Sequence, residues 1–469
     1  MTYSLVSVCL IIKTSRYKRY TNPLKNLGFL DNPSINWKTV IVSFTLGQYI
    51  FESFLGYKQY QVLKRTAVPH SLKAEITQET YDKSQEYSRA KEGFSFFTSA
   101  YSLIKNLLYI KYDLLPKFWV FSGAVLSHLL PVLPKFMGGV ITQSIIFLFA
   151  NSLFSELTSI PVDYYKTFVL EEKYGFNKST LSLWAADFFK SLLIQMVLLP
   201  PFLGSFLKII EWYGQSFVLY ACGLVLFFQL FFMTIFPSLI QPLFNKFTPL
   251  EDGELKTAIE DLAKKQGFPL TKLYVIDGSK RSGHSNAYFT GLPWSKQIVL
   301  FDTLIEHSTV DETVAVLAHE IGHWKLNHLP RMLAFSQVNM MVMFSMFAAF
   351  LGNNSLFQSF GFFGLKPTIV ALLLFSDIFK PLESGLQFLQ NLLVRKHEYE
   401  ADEYAKSCGY TDDLGKSLIK LNIENLSYVE ADPLYSAYYR SHPILSERLN
   451  AIGYISKEKV SMEKDTKSD

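Results

Sequence analysis

Residues 319–323 read His-Glu-Ile-Gly-His, a spacing typical of a catalytic zinc site. Two histidines four residues apart lie on one face of an α-helix, where His319 and His323 can bind the same Zn²⁺. Glu320 follows the first histidine and can exchange a proton with a water molecule at the metal. The alternative is a helix with two packed or solvated histidines, so the zinc interpretation depends on a third ligand from elsewhere in the chain.

The residues before this motif predict the helix that positions it. Residues 309–312, Thr-Val-Asp-Glu, match the capping box that begins many helices. Val314, Leu317, Ala318 and Ile321 then follow at spacings that form one apolar helical face. We therefore expect a helix that begins near residue 310 and packs one face against a core.

The chain has nine histidines, and His70, His128 and His328 are possible third ligands. His70 and His128 are separated from the motif by several apolar stretches. His328 lies five residues after His323, which places it off the ligand face of a continuous helix. None of these three is a strong candidate.

A better candidate follows the last apolar stretch, in residues 397–402, His-Glu-Tyr-Glu-Ala-Asp. Glu398 and Asp402 are four apart and share one helical face. Glu398 can bind the metal, while Asp402 can accept a hydrogen bond from the second nitrogen of a ligand histidine. The alternative for this segment is an exposed, charged helix in the C-terminal part of the chain.

The composition predicts a polytopic membrane protein. Of the 469 residues, 49% are hydrophobic and 18% are charged, against about a quarter charged in soluble proteins. The net charge of +4 gives no indication of nucleic-acid binding. The three cysteines, Cys9, Cys222 and Cys408, are too dispersed for a disulfide framework or a cysteine zinc site.

Seven apolar stretches are long enough to span a bilayer. The connections between some of them are rich in Lys and Arg, and the positive-inside rule places these connections and the C-terminus in the cytosol. The short connections near residues 136, 210 and 360 then face the other side. The predicted spans are 38–56, 117–135, 138–160, 182–208, 216–243, 332–352 and 367–394.

The beginning of the chain does not fit this arrangement. Five basic residues precede the first span and favour the cytosol, although the topology places that end on the far side: Lys13, Arg16, Lys18, Arg19 and Lys25. Residues 4–12 are apolar but too short to span the membrane. An interfacial anchor and a loosely ordered extension are both compatible with this segment.

Residues 245–331 form a segment with both helical and strand patterns. Residues 254–265 have the periodicity of an amphipathic helix, and residues 273–276, 285–289 and 297–301 have that of strands. The sequence therefore divides into an N-terminal extension, two membrane parts, two parts of a cytosolic domain and a polar tail. Their predicted limits are 1–30, 31–244, 245–331, 332–394, 395–455 and 456–469.

The combination of Ala-His-Glu-Ile-Gly-His-Trp at 318–324 with the segment at 397–402 resembles the type I CAAX prenyl proteases. These are zinc metalloproteases of the endoplasmic reticulum membrane that process farnesylated proteins. The resemblance covers roughly residues 30–455. Further stretches that match the family pattern are 87–91, 170–177, 244–250, 277–281, 284–289 and 441–443.

The resemblance implies a mainly α-helical fold, in which seven transmembrane helices enclose a chamber and a small α+β, gluzincin-like metalloprotease domain faces the cytosol. It implies one Zn²⁺ per chain, bound by His319, His323 and Glu398. It also implies that Glu320 is the general base and then the acid.

The resemblance assigns roles to residues around the metal as well. Asp402 is expected to support a ligand histidine, His442 to stabilise the oxyanion, and the strand with Asn286, Ala287 and Tyr288 to bind the substrate backbone. Two departures concern the surroundings of His442. Gly283 stands where a serine is usual, and residues 439–440 are Tyr-Arg instead of His-Tyr.

The expected activity is removal of the C-terminal aaX tripeptide from farnesylated CAAX proteins, with a second upstream cleavage in some family members. The expected partners are such substrates and the lipid bilayer, with no nucleic acid and no obligate protein partner. The expected location is the endoplasmic reticulum membrane, with the nuclear envelope as an alternative. Two other interpretations are a membrane-protein quality-control protease with broad substrates and an inactive membrane scaffold.

Overall fold

The structure is a computed structural model that describes residues 27–292 and 295–455. The predicted N-terminal extension, with its apolar segment and basic residues, lies almost entirely outside the described residues, as does the polar tail. The described chain is mainly helical, with one small β-sheet. This agrees with the predicted fold class at the level of a helical membrane protein that carries an α+β part.

The N-terminal half consists of long helices. Polar side chains cap several of them; for example, Asn36, Thr77 and Thr180 each accept a hydrogen bond from a backbone N–H in the first turn. The helices are α1 Trp37–Val62, α2 Gln78–Lys111, α3 Leu114–Leu129, α4 Val140–Tyr165, α5 Leu181–Tyr213 and α6 Val218–Ile235.

A four-stranded sheet follows, in the order β1-β2-β4-β3. The strands are β1 Phe247–Pro249, β2 Leu270–Ile276, β3 Ala287–Leu292 and β4 Ser295–Phe301. β2 and β4 are parallel, and the other two pairs are antiparallel. The three predicted strands correspond to β2, β3 and β4, and β3 lies at an edge of the sheet.

The remaining helices surround the sheet or return to the apolar helical part. They are α7 Glu254–Gln266, α8 Asp302–His307, α9 Val310–Lys325, α10 His328–Phe350, α11 Asn354–Ser359, α12 Thr368–Ser407, α13 Thr411–Glu424, α14 Pro433–Tyr439 and α15 Leu445–Ile452. α12 is 40 residues long and continues from the predicted seventh span into the segment with Glu398. Pro381 lies inside this helix without ending it.

Among the described residues, four helical segments are long and apolar enough to cross a membrane: Val140–Glu171, Leu181–Ser216, Val218–Leu243 and His328–Phe350. They coincide with four of the seven predicted spans. α3 is apolar but has only 16 residues. α1 and α12 are long enough to cross a membrane, but neither contains a sufficiently long stretch that is apolar and poor in charged residues. The chain is therefore a multi-pass membrane protein, and the number of seven spans stays a prediction.

Two large apolar cores hold the described chain together. The first lies among the long helices and contains the fully buried side chains of Ile41, Phe147, Phe347 and Phe375. The second joins the sheet to α7, α9 and α13. The apolar face predicted for α9 lies in this second core, so burial fixes the orientation of the helix that carries the His-Glu-Ile-Gly-His motif.

Candidate metal centre

The N-terminus of α9 is anchored by a complete capping box. The Thr309 hydroxyl accepts a hydrogen bond from the Glu312 N–H at 3.3 Å, and the Glu312 carboxylate accepts one from the Thr309 N–H at 2.8 Å. Lys420 of α13 donates to the same carboxylate at 2.7 Å. This confirms the predicted helix start and fixes α9 in position against the neighbouring helix.

A close crossing of α9 and α12 brings the two halves of the site together. Gly322 lies at the crossing, where an added Cβ would be 3.1 Å from Cβ of Tyr404 and 3.2 Å from Cα of Ala401. Only a residue without a side chain lets the two backbones approach this closely. The crossing places Glu398, one turn before Ala401 and Asp402, opposite the two histidines of α9.

The three predicted metal ligands converge in the structure. Nε2 of His319 and Nε2 of His323 are 3.1 Å apart, and Glu398 offers Oε1 at 3.4 Å from His323 and Oε2 at 3.7 Å from His319. In a tetrahedral site with metal bonds of about 2.0–2.1 Å, ligand atoms lie about 3.3 Å apart. The observed separations therefore fit three corners of one metal site.

The chemistry of the donor set supports the same conclusion. The Glu398 side chain is buried, and its Oε2 has no hydrogen-bond partner among the described residues. Burial raises the pKa of Glu398, but the hydrogen bond with His323 and the nearby positive groups outweigh it and lower the pKa to about 2. A buried, ionised carboxylate with a free oxygen facing two imidazoles is a suitable ligand set for a divalent metal.

Asp402 holds the first ligand histidine in place. Its Oδ1 lies 2.8 Å from Nδ1 of His319, so His319 can donate a hydrogen bond there while Nε2 faces the metal position. Arg448 donates to both carboxylate oxygens, from Nη2 at 2.6 Å and from Nε at 2.8 Å. Burial raises the pKa of Asp402, but the bonds to Arg448 and His319 prevail and lower it to about 2. The contribution of Arg448 was not predicted from the sequence.

His328 contacts the second ligand histidine, although its sequence position argued against any place at the site. Its Nδ1 lies 2.8 Å from Nδ1 of His323, and its Nε2 lies 3.0 Å from Oε2 of Glu400. Asn327 has a positive φ of 57°, which ends α9 and starts α10 in a new direction. The helical spacing used for the prediction does not apply across this break, so His328 turns back toward His323.

Glu320 lies beside the ligands on α9 and is partly buried. Burial raises the pKa of Glu320, while His319 and His323 oppose this effect. His442 stands at the open side of the site, with Nε2 at 3.3 Å from Oε1 of Glu398 and a side chain that is 64% exposed. Both predicted catalytic residues are therefore next to the proposed metal position.

β3 presents part of its backbone at the free edge of the sheet. The carbonyl of Asn286 accepts a hydrogen bond from the Phe301 N–H at 3.1 Å. The alternation of an antiparallel ladder then turns the N–H and C=O groups of Ala287 and Phe289 outward and those of Tyr288 toward β4. The side chain of Tyr288 contacts Gln241. The outward backbone groups at this edge are therefore those of Ala287 and Phe289, and the substrate-binding roles of Asn286, Ala287 and Tyr288 stay predictions.

Two family models together match most of the chain. Residues 59–246 match the CAAX prenyl protease N-terminal model, described as five membrane helices, and residues 249–456 match peptidase family M48. The structure describes every residue of the first range, and five α-helices, α2–α6, begin within it. Only four of the predicted spans fall in this range, and α2 lies in a connection that the positive-inside rule placed in the cytosol.

Individual relatives match over almost the whole chain. CAAX prenyl protease 1 of Saccharomyces cerevisiae is 49% identical over 446 residues, which covers 92% of this chain and 98% of the relative. The human CAAX prenyl protease 1 homolog is 39% identical over 451 residues, with 88% and 94% covered. The crystal structure of S. mikatae Ste24p matches with a TM-score of 0.85 and 47% identity, covering 90% of this chain and 100% of that one.

Proposed function

Since the chain belongs to the CAAX prenyl proteases of peptidase family M48, we propose that this membrane metalloprotease removes the C-terminal aaX tripeptide from farnesylated CAAX proteins. The observation that carries the proposal is the convergence of His319, His323 and Glu398 from α9 and α12. We propose that these three residues bind one Zn²⁺ per chain. A His-His-Glu set is a ligand combination of catalytic zinc sites in peptidases.

In this proposal a bound zinc supplies a Lewis acid that polarises the scissile carbonyl and makes a water molecule more acidic. Glu320 accepts the proton of that water and later transfers it to the leaving amine. His442, at the open side of the site, donates a hydrogen bond to the developing oxyanion. Asp402 and His328 hold the ligand histidines in the tautomer that leaves each Nε2 free.

The free edge of β3 is the proposed binding surface for the peptide around the scissile bond. The outward C=O group of Ala287 and the N–H and C=O groups of Phe289 can pair with an extended peptide, which would then add to the sheet as a further strand. The Ala287 N–H donates to Oδ1 of Asn286 at 2.8 Å. β3 packs on α9 through Ala287, which is buried in the same core as Leu317 and Ala318. An added strand would therefore lie close to the helix that carries Glu320.

We also propose the membrane arrangement expected from the sequence. Seven spans would enclose a chamber, with the metalloprotease part and the C-terminus on the cytosolic side of the endoplasmic reticulum membrane. The apolar helices α4, α5, α6 and α10 support a multi-pass arrangement. The basic connections support the orientation.

The test is tripeptide release by the purified protein from a farnesylated CAAX peptide and from its unprenylated twin, with a zinc chelator as control. We expect zinc-dependent release of the tripeptide from the farnesylated peptide and much slower release from the twin. Equal cleavage of both peptides would favour a quality-control protease with broad substrates. Cleavage of neither peptide by the zinc-loaded protein would contradict the proposal.

A further inference from the structure

The free C-terminus of the substrate needs a binding partner in the proposed reaction. Removal of a C-terminal tripeptide cuts a bond three residues before a free carboxylate. Three extended residues span about 10 Å, so this carboxylate lies about 10 Å from the scissile bond. If the proposed function holds, the protein needs a positively charged group that binds this terminal carboxylate.

A polar cavity of about 460 Å³ lies directly beside the candidate metal centre. His442 and Arg448 form its wall on the side of the metal ligands, since both approach Glu398. Three cations line the cavity, Lys91, Arg440 and Arg448, and no acidic residue lines it in the described part of the chain. The cavity is therefore suited to a negatively charged group.

The cavity is also placed at the correct end of the edge strand. Asn425, on its wall, accepts hydrogen bonds from the Ser285 N–H at 3.3 Å and from Nδ1 of His284 at 2.9 Å, and these residues lead into β3. A peptide that adds antiparallel to β3 runs toward the beginning of that strand. Its residues after the scissile bond would therefore enter the cavity.

Two of the three cations are available for a ligand. Arg448 is already occupied by Asp402. Lys91 forms no hydrogen bond or salt bridge within the described residues, and its ammonium lies 3.8 Å from the centre of the Tyr87 ring. Arg440 also has no salt bridge there, and its guanidinium lies 4.6 Å from the centre of the Tyr428 ring.

Two acidic residues outside the lining act against an incoming anion, Glu171 near Lys91 and Glu92 near Arg440. The Glu92 carboxylate accepts a hydrogen bond from the Tyr435 hydroxyl at 3.1 Å. Glu171 exerts its charge on Lys91, but its carboxylate accepts a hydrogen bond from the Tyr87 hydroxyl at 2.7 Å and lies 3.9 Å from Nε2 of His284. The contacts with Tyr87 and His284 therefore offset part of the negative charge of Glu171. The lining of the cavity keeps a net positive charge.

We propose that this cavity binds the tripeptide that is released, and that Lys91 and Arg440 bind its terminal carboxylate. The two residues would select substrates whose chain ends three residues after the scissile bond. Hydrogen bonds between charged groups have enough energy to change the rate of cleavage by a factor of about ten or more. Both are specificity residues, because they would touch the substrate far from the reacting atoms.

The test compares two farnesylated peptides of identical sequence, one ending in the free acid and one in the neutral amide. We expect the wild-type protein to cleave the acid with a kcat/KM about tenfold or more above that of the amide. In the variant Lys91→Met/Arg440→Met this ratio should fall to about one to two. The single variants Lys91→Met and Arg440→Met should give intermediate acid-to-amide ratios. They provide the same comparison if the double variant folds poorly.

Lys64→Met is the matched control. Lys64 also lies over a tyrosine ring, at 5.1 Å from the centre of Tyr60, but it does not line the cavity. Its variant should keep the wild-type ratio. A wild-type protein that cleaves acid and amide equally, or variants that lower both rates without changing the ratio, would overturn the proposal. Failure of the wild-type protein to cleave either peptide would instead contradict the proposed function.

Discussion

Each ligand histidine is held by its own chain of hydrogen bonds. His319 is held by Asp402, which Arg448 binds through two bonds, and His323 is held by His328, which contacts Glu400. With Nε2 of each histidine directed at the proposed metal position, Nδ1 must carry the proton. These chains therefore fix the tautomer as well as the ring orientation.

His328→Phe should lower zinc affinity by about 10–100-fold, because His323 loses the acceptor that orients it. Zinc affinity is measured by competition with a chelator of known affinity. His397→Phe is the matched control, since His397 stacks on His328 at 4.1 Å but makes no hydrogen bond to His323. Equal zinc affinity of wild type and His328→Phe would show that His328 has no positioning role.

The residues of the site differ in how far the sequence reveals them. His319, His323 and Glu398 follow from helical spacing and donor chemistry, and Asp402 follows from its position four residues after Glu398. Arg448 lies in a separate helix, and no spacing rule connects it to Asp402. His328 was missed because the prediction assumed a continuous helix through Asn327. The preference of Asn for positive φ was the available signal.

At the scale of elements, the crossing of α9 and α12 determines the geometry of the metal centre. A Cβ at position 322 would meet Tyr404 and Ala401 at 3.1–3.2 Å, so the helices must separate to accept a larger residue. The ligand Glu398 lies on α12 and would move away from both histidines with the helix. Stability and metal binding therefore depend on the same contact.

Gly322→Val should lower the free energy of unfolding by about 1–3 kcal/mol, the usual cost of overpacking, and should weaken zinc binding in the folded protein. Thermal unfolding in detergent and zinc content are the measurements. Gly385→Ala, in the partner helix α12, is the control, since its added Cβ would meet nothing within 4 Å. Unchanged unfolding and zinc content in Gly322→Val would contradict the importance of the close crossing.

The capping box and the apolar face of α9 allowed this helix to be predicted from residues 309–321 alone, because both are local patterns. The strands were also recognisable from local alternation. The full length of α12 was not, because hydropathy covers only its apolar part, the predicted span 367–394, whereas the helix continues to Ser407. In the structure Lys380 contacts Asp377 at 2.6 Å, and the helix continues past them.

At the scale of the whole molecule, two apolar cores divide the described chain into a membrane part and a sheet-bearing part. Composition and hydropathy predicted this division. They did not establish the number of membrane helices, because the family description gives five within residues 59–246, where four spans were predicted. α2 also begins in this range, but it is mainly polar in its first half, so hydropathy alone does not predict a span there.

The orientation can be tested by glycosylation mapping in endoplasmic reticulum membranes. An Asn-X-Ser acceptor site added after residue 455 should stay unmodified, because the basic connections place the C-terminus in the cytosol. A site on an inserted loop near residue 360 should be glycosylated. Modification of the C-terminal site would reverse the proposed orientation.

The central claim is that the three converging ligands hold a metal beside Glu320, which acts as the general base. The most direct measurement is tripeptide release from a farnesylated peptide by zinc-loaded Glu320→Gln, with zinc content determined on the same sample. We predict about one zinc per chain and a rate about 10²–10⁴-fold below wild type, the usual contribution of a general base. A variant that keeps zinc and cleaves at the wild-type rate would contradict the account.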